Sequence, residues 1–304
     1  MQVDPDSARR YLSLSGPLGE DLRRNLVPGE DGCYDLQIVN RRCPMWRQDG
    51  LCRIQAELGH DALCRVCQEF PRLTHDYGDF VELGLELSCP EAARLMLTAP
   101  SAAFVEEDIP GGTAPEYDQD AMAVLLRTRA RALELLQTGP VPQALTLLLL
   151  YGYRAQEELD GAPESAFDVA QALAFGAQLG SLVQPEPLMD FYAGQEILNE
   201  SWAHRLQNPA PGPWSEELRA MARCGVERYW LQAVSDYDLV SRVKMVVAGC
   251  VLVRNLGGDV IQTAQQYSKE IDNSAENVAA VLDGAYEAPA LTDANLLALL
   301  TREE

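Results

Sequence analysis

The sequence predicts a mainly α-helical protein: a small cysteine-rich α+β module with a β-hairpin, followed by an all-helical domain. Three observations lead there. Six of the eight cysteines, Cys33, Cys43, Cys52, Cys64, Cys67 and Cys89, fall in the first third of the 304 residues. Residues 80–87 alternate apolar and polar side chains with the period of a strand. Beyond a Pro-, Gly- and acid-rich stretch at 100–117, nearly everything reads as helix between Gly and Pro breakers. The expected organisation is a cysteine module over 1–99, a linker or surface loop over 100–117, and a helical domain over 118–304.

Taken in order, residues 4–26 read as helix, because Asp6 or Ser7 can cap it and Leu12, Leu14, Leu18, Leu22 and Leu26 supply an apolar face, with a break at Gly16-Pro17. Residues 29–32 mark a turn, and the alternation over 34–39 suits a short strand. Asp49-Gly50 is a tight-turn signal that can bring Cys43 and Cys52 together. Residues 54–63 have helical composition, which places Cys64 and Cys67 at or just beyond a helix end. A hairpin follows: Leu73-Thr74, the turn Asp76-Tyr77-Gly78-Asp79, and a strand over 80–87 that delivers Cys89. Pro90 suits the first turn of a helix over 91–98. The helical domain is expected as helices over 118–138, 141–159, 165–182, 187–208, 215–235, 238–256, 260–269, 275–285 and 292–301. There is no internal repeat.

With 47% hydrophobic and 23% charged residues the chain is an ordinary globular one. Its longest apolar stretches, 144–153 and 245–253, fall well short of the roughly 20 residues that cross a bilayer, so no membrane role is expected. The net charge of −22 argues against nucleic acid, whose affinity comes mostly from Lys and Arg neutralising phosphates. Lys244 and Lys269 are the only lysines, so the cations are mostly arginines, permanent charges unsuited to general-base work. The acidity is denser after residue 99, which makes the C-terminal part the expected dock for any polycation. The opening Met-Gln-Val-Asp-Pro-Asp lacks the apolar core of an export signal, and a chain this long does not need a disulfide framework. A reducing cytoplasm is the expected setting.

The spacing Cys43-x8-Cys52-x11-Cys64-x2-Cys67-x21-Cys89 admits disulfides, a metal or iron–sulfur site, or unrelated buried thiols. Zinc sites usually take two closely spaced pairs, and only Cys64-Arg-Val-Cys67 is one. Iron–sulfur ligation tolerates unequal loops better, so the spacing favours a cluster over zinc. His60 and His75 bracket that pair, and either can replace a thiolate, although a surface histidine is the plainer reading; His204 stands apart. Cys224 and Cys250 lie in apolar helical stretches and read as buried small hydrophobes. Tyr151, Tyr153, Tyr229 and Trp230 read as core or groove aromatics, with a cage for a cationic lysine as the alternative. Asp236, Asp238, Glu270 and Asp272 suit helix caps or the reception of a substrate ammonium. Gly257-Gly258-Asp259 reads as a helix-ending turn, and no strand, glycine-rich turn and helix of the dinucleotide-binding kind occurs.

Longer strings carry a resemblance. Cys43-Pro44-Met45-Trp46, Asp49-Gly50-Leu51-Cys52-Arg53-Ile54, Leu63-Cys64-Arg65-Val66-Cys67, Phe70-Pro71-Arg72 and above all Ser88-Cys89-Pro90-Glu91-Ala92-Ala93-Arg94 resemble the flagellin lysine N-methylase family. Arg242-Val243-Lys244 and Gln266-Tyr267-Ser268-Lys269-Glu270-Ile271-Asp272 are similar to segments near that family's C-terminus, so the resemblance spans nearly the whole chain. Cys43, Cys52 and Cys67-Gln-Glu-Phe-Pro also resemble a broader group of small zinc or iron–sulfur proteins. The resemblance implies a bacterial cytoplasmic protein-lysine N-methyltransferase that moves methyl groups from S-adenosylmethionine to flagellin lysines. It also implies an iron–sulfur cluster, 4Fe-4S being the expected form and zinc the alternative, held by Cys43, Cys52, Cys64, Cys67 and Cys89. The sequence departs from the family pattern in two places: the family's N-terminal cysteine block has no counterpart before Asp4, and Cys33 is not part of the pattern. Neither catalytic nor donor-binding residues are assigned. The alternative is a noncatalytic zinc or iron–sulfur module for protein interaction.

Overall fold

A computed structural model describes residues 2–29, 33–39, 42–99, 104–108, 112–114 and 116–301. The expected mainly helical class, with a small α+β region first, is what it shows. The chain divides into two compact units, Met1–Leu73 and Thr74–Glu304. This boundary falls within the first strand of the hairpin, Arg72–Asp76. Residues 100–103, 109–111 and 115 of the expected linker, and 30–32 of the expected turn, lie outside the described residues.

The first unit contains β1 (Gln2–Val3), α1 (Pro5–Ser13), α2 (Gly16–Asn25), β2 (Leu26–Pro28), β3 (Tyr34–Leu36), α3 (Arg53–Leu58) and α4 (Arg65–Glu69). The strands form an antiparallel sheet in the order β1-β3-β2, with Val3 opposite Tyr34 and Val27 opposite Asp35. The helix expected over 4–26 is two helices, broken at Gly16 where φ is +81°. The leucine face packs as expected: Leu18, Leu22 and Leu26 join Val3, Tyr11, Leu36, Met45, Ile54 and Leu63 in one core. Strands β1 and β2 are too short to show any period, which is why the sequence does not announce them.

Asp4 ties the two ends of this unit together. One carboxylate oxygen accepts the Ser7 N–H at 2.9 Å and caps α1, while the other accepts the Arg65 N–H at 3.0 Å where α4 starts. Burial pushes its pKa up, but these backbone donors outweigh that and hold it at about 2, against an ordinary 3.8. A carboxylate depressed in the folded state contributes stability that is present above its unfolded pKa and lost as pH falls through its folded pKa. The window here is therefore from 3.8 down to about 2. Because the group is partly exposed, solvent screening reduces the contribution to about 1 kcal/mol. Asp4→Ala is expected to lose that amount at neutral pH, with the difference from the parent vanishing near pH 2 in urea titrations; a difference independent of pH would exclude this account.

Strand β4 (Arg72–Asp76) leads into β5 (Val81–Leu85), and the two form the expected hairpin. The helices that follow are α5 (Pro90–Thr98), α6 (Gln119–Leu135), α7 (Val141–Leu159), α8 (Val169–Gly180), α9 (Leu188–Ala193), α10 (Glu200–Gln207), α11 (Glu216–Tyr229), α12 (Leu239–Leu256), α13 (Val260–Tyr267), α14 (Ala275–Glu287) and α15 (Asp293–Thr301). Every residue of α12 is buried, and it packs against α7, α11 and α14. A helix that is apolar on all sides belongs in the centre of a core. Arg129 of α6 donates two hydrogen bonds to Glu82 of β5, at 2.8 and 2.6 Å, which anchors the hairpin within the second unit. Among the described residues no helix is long and apolar enough to cross a membrane.

Two expected helices come out differently. The one over 187–208 is split into α9 and α10, because Asn277 and the Glu270 carboxylate engage the backbone of residues 196, 198 and 199 and draw it out of helical form. The one over 260–269 continues past α13 into a π-helical turn, Ser268–Asp272.

Candidate functional site

Four of the five expected ligands, Cys43, Cys52, Cys64 and Cys67, lie in the first unit. Cys52 and Cys64 are the N-cap residues of α3 and α4, and Cys67 sits one turn into α4. The Asp49-Gly50 turn forms as expected: Gly50 has φ of +83° and its N–H donates to the Arg47 carbonyl at 3.0 Å. Across that turn Trp46 bridges Cys52, while the Trp46 N–H donates to the Cys43 carbonyl at 3.0 Å. The thiols of Cys43, Cys52 and Cys67 therefore back onto the same apolar core as the buried Cys64.

The electrostatics make these sulfurs unequal. A hydrogen bond from the Cys67 side chain, helped by its backbone N–H and opposed by burial, holds the Cys64 thiol below its ordinary range. The same bond, with burial and the nearby Cys64, Cys43 and Cys52 sulfurs, pushes Cys67 up. Burial also pushes Cys43 up, against a hydrogen bond from the Met45 backbone. Backbone N–H groups directed at sulfur and a thiol whose pKa is lowered both favour thiolate ligation of a soft metal. In donor chemistry the set fits a metal or iron–sulfur group. In geometry it is looser: among the described residues no three His, Cys, Asp or Glu side chains converge closely enough to hold a metal ion. No disulfide joins any of the eight cysteines.

Sequence reasoning missed the bracing of this loop. Arg10 donates to the carbonyls of Asp61, Ala62 and Leu63 at 2.9, 3.0 and 3.1 Å, and the Tyr11 hydroxyl donates to Ala62 at 2.7 Å. These bonds fix the segment that enters Cys64. Their signal in the sequence was only a charged residue beside an aromatic one on a helix, which has no distinguishing pattern.

Cys89, the fifth expected ligand, belongs to the second unit, where it is the N-cap of α5. Cys33 is half-buried in the first unit and its carbonyl accepts the Gly29 N–H at 3.0 Å. Cys224 and Cys250 are buried as expected, and burial pushes Cys224 up to about 12. His60 and His204 are exposed, while His75 is half-buried on β4, its Nε2 enclosed without a hydrogen-bond partner.

A second feature lies in the helical unit. A small cleft with a cavity volume of about 40 Å³ lies between the end of β5 and helices α11, α12 and α13, lined by Leu85, Leu87, Met221 and Met245 and by the charged Arg228 and Asp272. Asp272 reaches it from the π-helical turn, and the Tyr229 hydroxyl donates to the Asp272 carboxylate at 2.8 Å. Turns of this kind recur at functional sites.

Comparison with known proteins gives a partial relationship. Over 65 residues, 21% of the chain, the sequence is 42% identical to a lysine-N-methylase of Salmonella typhimurium and to another of Salmonella choleraesuis, spanning 16% of each. It is also 42% identical over 65 residues to the flagellar biosynthetic protein FliU of Salmonella muenchen, spanning 38% of it. The matched stretch is thus well under two thirds of each relative. No family model matches the chain, and no solved structure does.

Proposed function

We propose that this protein is a protein-lysine N-methyltransferase that carries methyl groups from S-adenosylmethionine to lysine side chains of flagellin. The observation carrying this reading is the 42% identity over 65 residues to lysine-N-methylases; the flagellar name of the third relative supports the choice of flagellin. Methyl transfer to an amine requires its neutral form, so a lysine with a pKa of about 10.4 must be desolvated or meet a base. The donor methyl must also be held in line with the nitrogen. Cys43, Cys52, Cys64 and Cys67 would hold an iron–sulfur cluster, with zinc as the alternative. Such a group would staple a unit whose helices and strands are all short.

A second reading, a noncatalytic metal-binding interaction module, is favoured by one observation. The described strands form only a three-stranded antiparallel sheet and a two-stranded hairpin, neither of which offers the parallel sheet with a glycine-rich turn that commonly seats a nucleotide-like donor. One preparation separates the readings. Purified anaerobically, the protein is expected to be brown, to contain iron and acid-labile sulfide, and to transfer label from S-adenosylmethionine to flagellin lysines. Cys67→Ser is expected to bleach it. A loaded protein that leaves flagellin unlabelled would overturn the methylase reading, and a colourless protein with stoichiometric zinc would replace the cluster by zinc.

A further inference from the structure

Cys64 and Cys67 stand apart from the other cysteines in how they meet. They begin α4 three positions apart, and the Cys67 N–H donates to the Cys64 carbonyl at 2.9 Å. Their side chains are hydrogen-bonded to each other. Across one helical turn Cα atoms lie about 5 Å apart, inside the span of about 4.4–6.8 Å that a disulfide bridges. The backbone on both sides of Cys64 is held in place. Arg10, Tyr11 and Gln68 donate to the carbonyls of residues 61–63, and Asp4 accepts the Arg65 N–H. Cys52, by contrast, lies opposite Trp46 rather than Cys43, and Cys224 and Cys250 are buried.

Access differs between the two sulfurs. Cys64 is 3% exposed, whereas Cys67 is half-buried and follows Arg65 and Val66, which are both exposed. Disulfides that form in reducing compartments are mostly catalytic or redox-sensing, and thiols exchange with them through a mixed disulfide. We infer that Cys64 and Cys67 form a reversible internal disulfide by exchange with a small-molecule disulfide such as oxidised glutathione. The Cys67 sulfur attacks one sulfur of the oxidant and forms the mixed disulfide, its proton going to the thiolate that leaves. The Cys64 sulfur then attacks that of Cys67, the bond to glutathione breaks, and the second departing thiolate takes the Cys64 proton. Two protein thiols are oxidised while one small-molecule disulfide is reduced to two thiols. Metal ligation needs the thiolate, so the bridge and a bound metal exclude each other at this pair. That exclusion rests on the metal reading given above; the bridge itself does not.

The test is oxidation of the intact, chelator-treated protein in glutathione buffers of rising oxidised fraction, followed by alkylation of the remaining thiols, trypsin digestion and mass spectrometry. Trypsin cuts after Arg65, so the bridge is read as peptides 54–65 and 66–72 joined through sulfur and parted by a reductant. Because a held geometry raises effective concentration, this pair is expected to reach a bridged fraction at least about tenfold above that of any other cysteine pair. Cys64→Ser is expected to stop at the mixed disulfide on Cys67, and Cys67→Ser to leave Cys64 unmodified, each with an unchanged circular dichroism spectrum. Protein loaded with zinc before oxidation is expected to bridge at least about tenfold more slowly. A bridge between other cysteines in equal or greater yield, glutathione retained on Cys67 of the parent protein without bridging, or no loss of thiols from the folded protein would overturn the inference. Zinc-loaded protein that bridges as fast as the chelated form would overturn the exclusion, whatever the protein does to flagellin.

Discussion

Gly257→Ala is expected to destabilise the helical unit by about 4 kcal/mol, from two sources that add. At φ +67° and ψ −158°, Gly257 ends α12 in a conformation open essentially to glycine alone. A Cβ there would also stand 1.7 Å from the Ala210 carbonyl oxygen, a backbone atom that has no side-chain freedom with which to retreat. The same glycine is a junction: its carbonyl accepts hydrogen bonds from Arg205 at 2.6 Å and Thr263 at 2.9 Å, joining α10 and α13 to the end of α12. Gly258→Ala is the control. It shares a positive φ, +72°, but its Cβ would meet only the Arg205 side chain at 3.5 Å. That variant is expected to lose about 1–2 kcal/mol from backbone strain alone. Equal losses for the two variants in urea unfolding would show that the clash with Ala210 contributes nothing.

Asp293→Ala is expected to cost about 3 kcal/mol, because it strands a buried cation. The Lys244 side chain in α12 is 6% exposed and its ammonium contacts Asp293 at 3.1 Å and the Ala285 carbonyl at 2.8 Å. Asp293 in turn accepts hydrogen bonds from the Tyr153 hydroxyl at 2.8 and 2.7 Å. Burial and those bonds push Tyr153 up, so it remains a neutral donor. Removing the carboxylate leaves the ammonium with one carbonyl and the face of Tyr153, 6.0 Å from the ring centroid. Removing both charges is another matter, since a buried pair replaced by apolar groups is often neutral or stabilising. Lys244→Met combined with Asp293→Ala is therefore expected to be more stable than Asp293→Ala alone. If the double variant is instead less stable than the single one, Lys244 is not held mainly by charge pairing.

How much was legible in advance follows the length and period of each element. Helices α6, α7 and α12 sit close to their expected bounds, because each is long and delimited by residues that act locally: Asp118 and Asp238 as caps, Gly139-Pro140 and Gly257 as stops. Asp49-Gly50 and the 76–79 turn were legible for the same reason. What distant residues decide was not legible. The gap between α9 and α10 is held by Glu270 and Asn277, some seventy to eighty positions away. The π-helical turn follows a run that reads as uninterrupted helix. Of the candidate site, the cysteines were named from spacing and resemblance, but the separation of Cys89 into the other compact unit follows from contact density, which no motif encodes. Tyr229 and Asp272 were singled out as a groove aromatic and a possible ammonium acceptor, and both line the cleft. Arg228 escaped notice as one arginine among 22, since nothing in its neighbours marks it as buried.

The enclosure of α12 also bears on synthesis. A helix buried along its whole length is the surface on which α7, α11 and α14 close, so the second unit has nothing to close upon until residue 256 has left the ribosome. The first unit has its own core by residue 73 and can settle while the rest is still being made, as N-terminal domains commonly do. Through that interval α7 and α11 expose apolar faces meant for a helix that does not yet exist. A ribosome arrested shortly before residue 239 should therefore carry a nascent chain whose first unit resists protease while its helices remain open to chaperones.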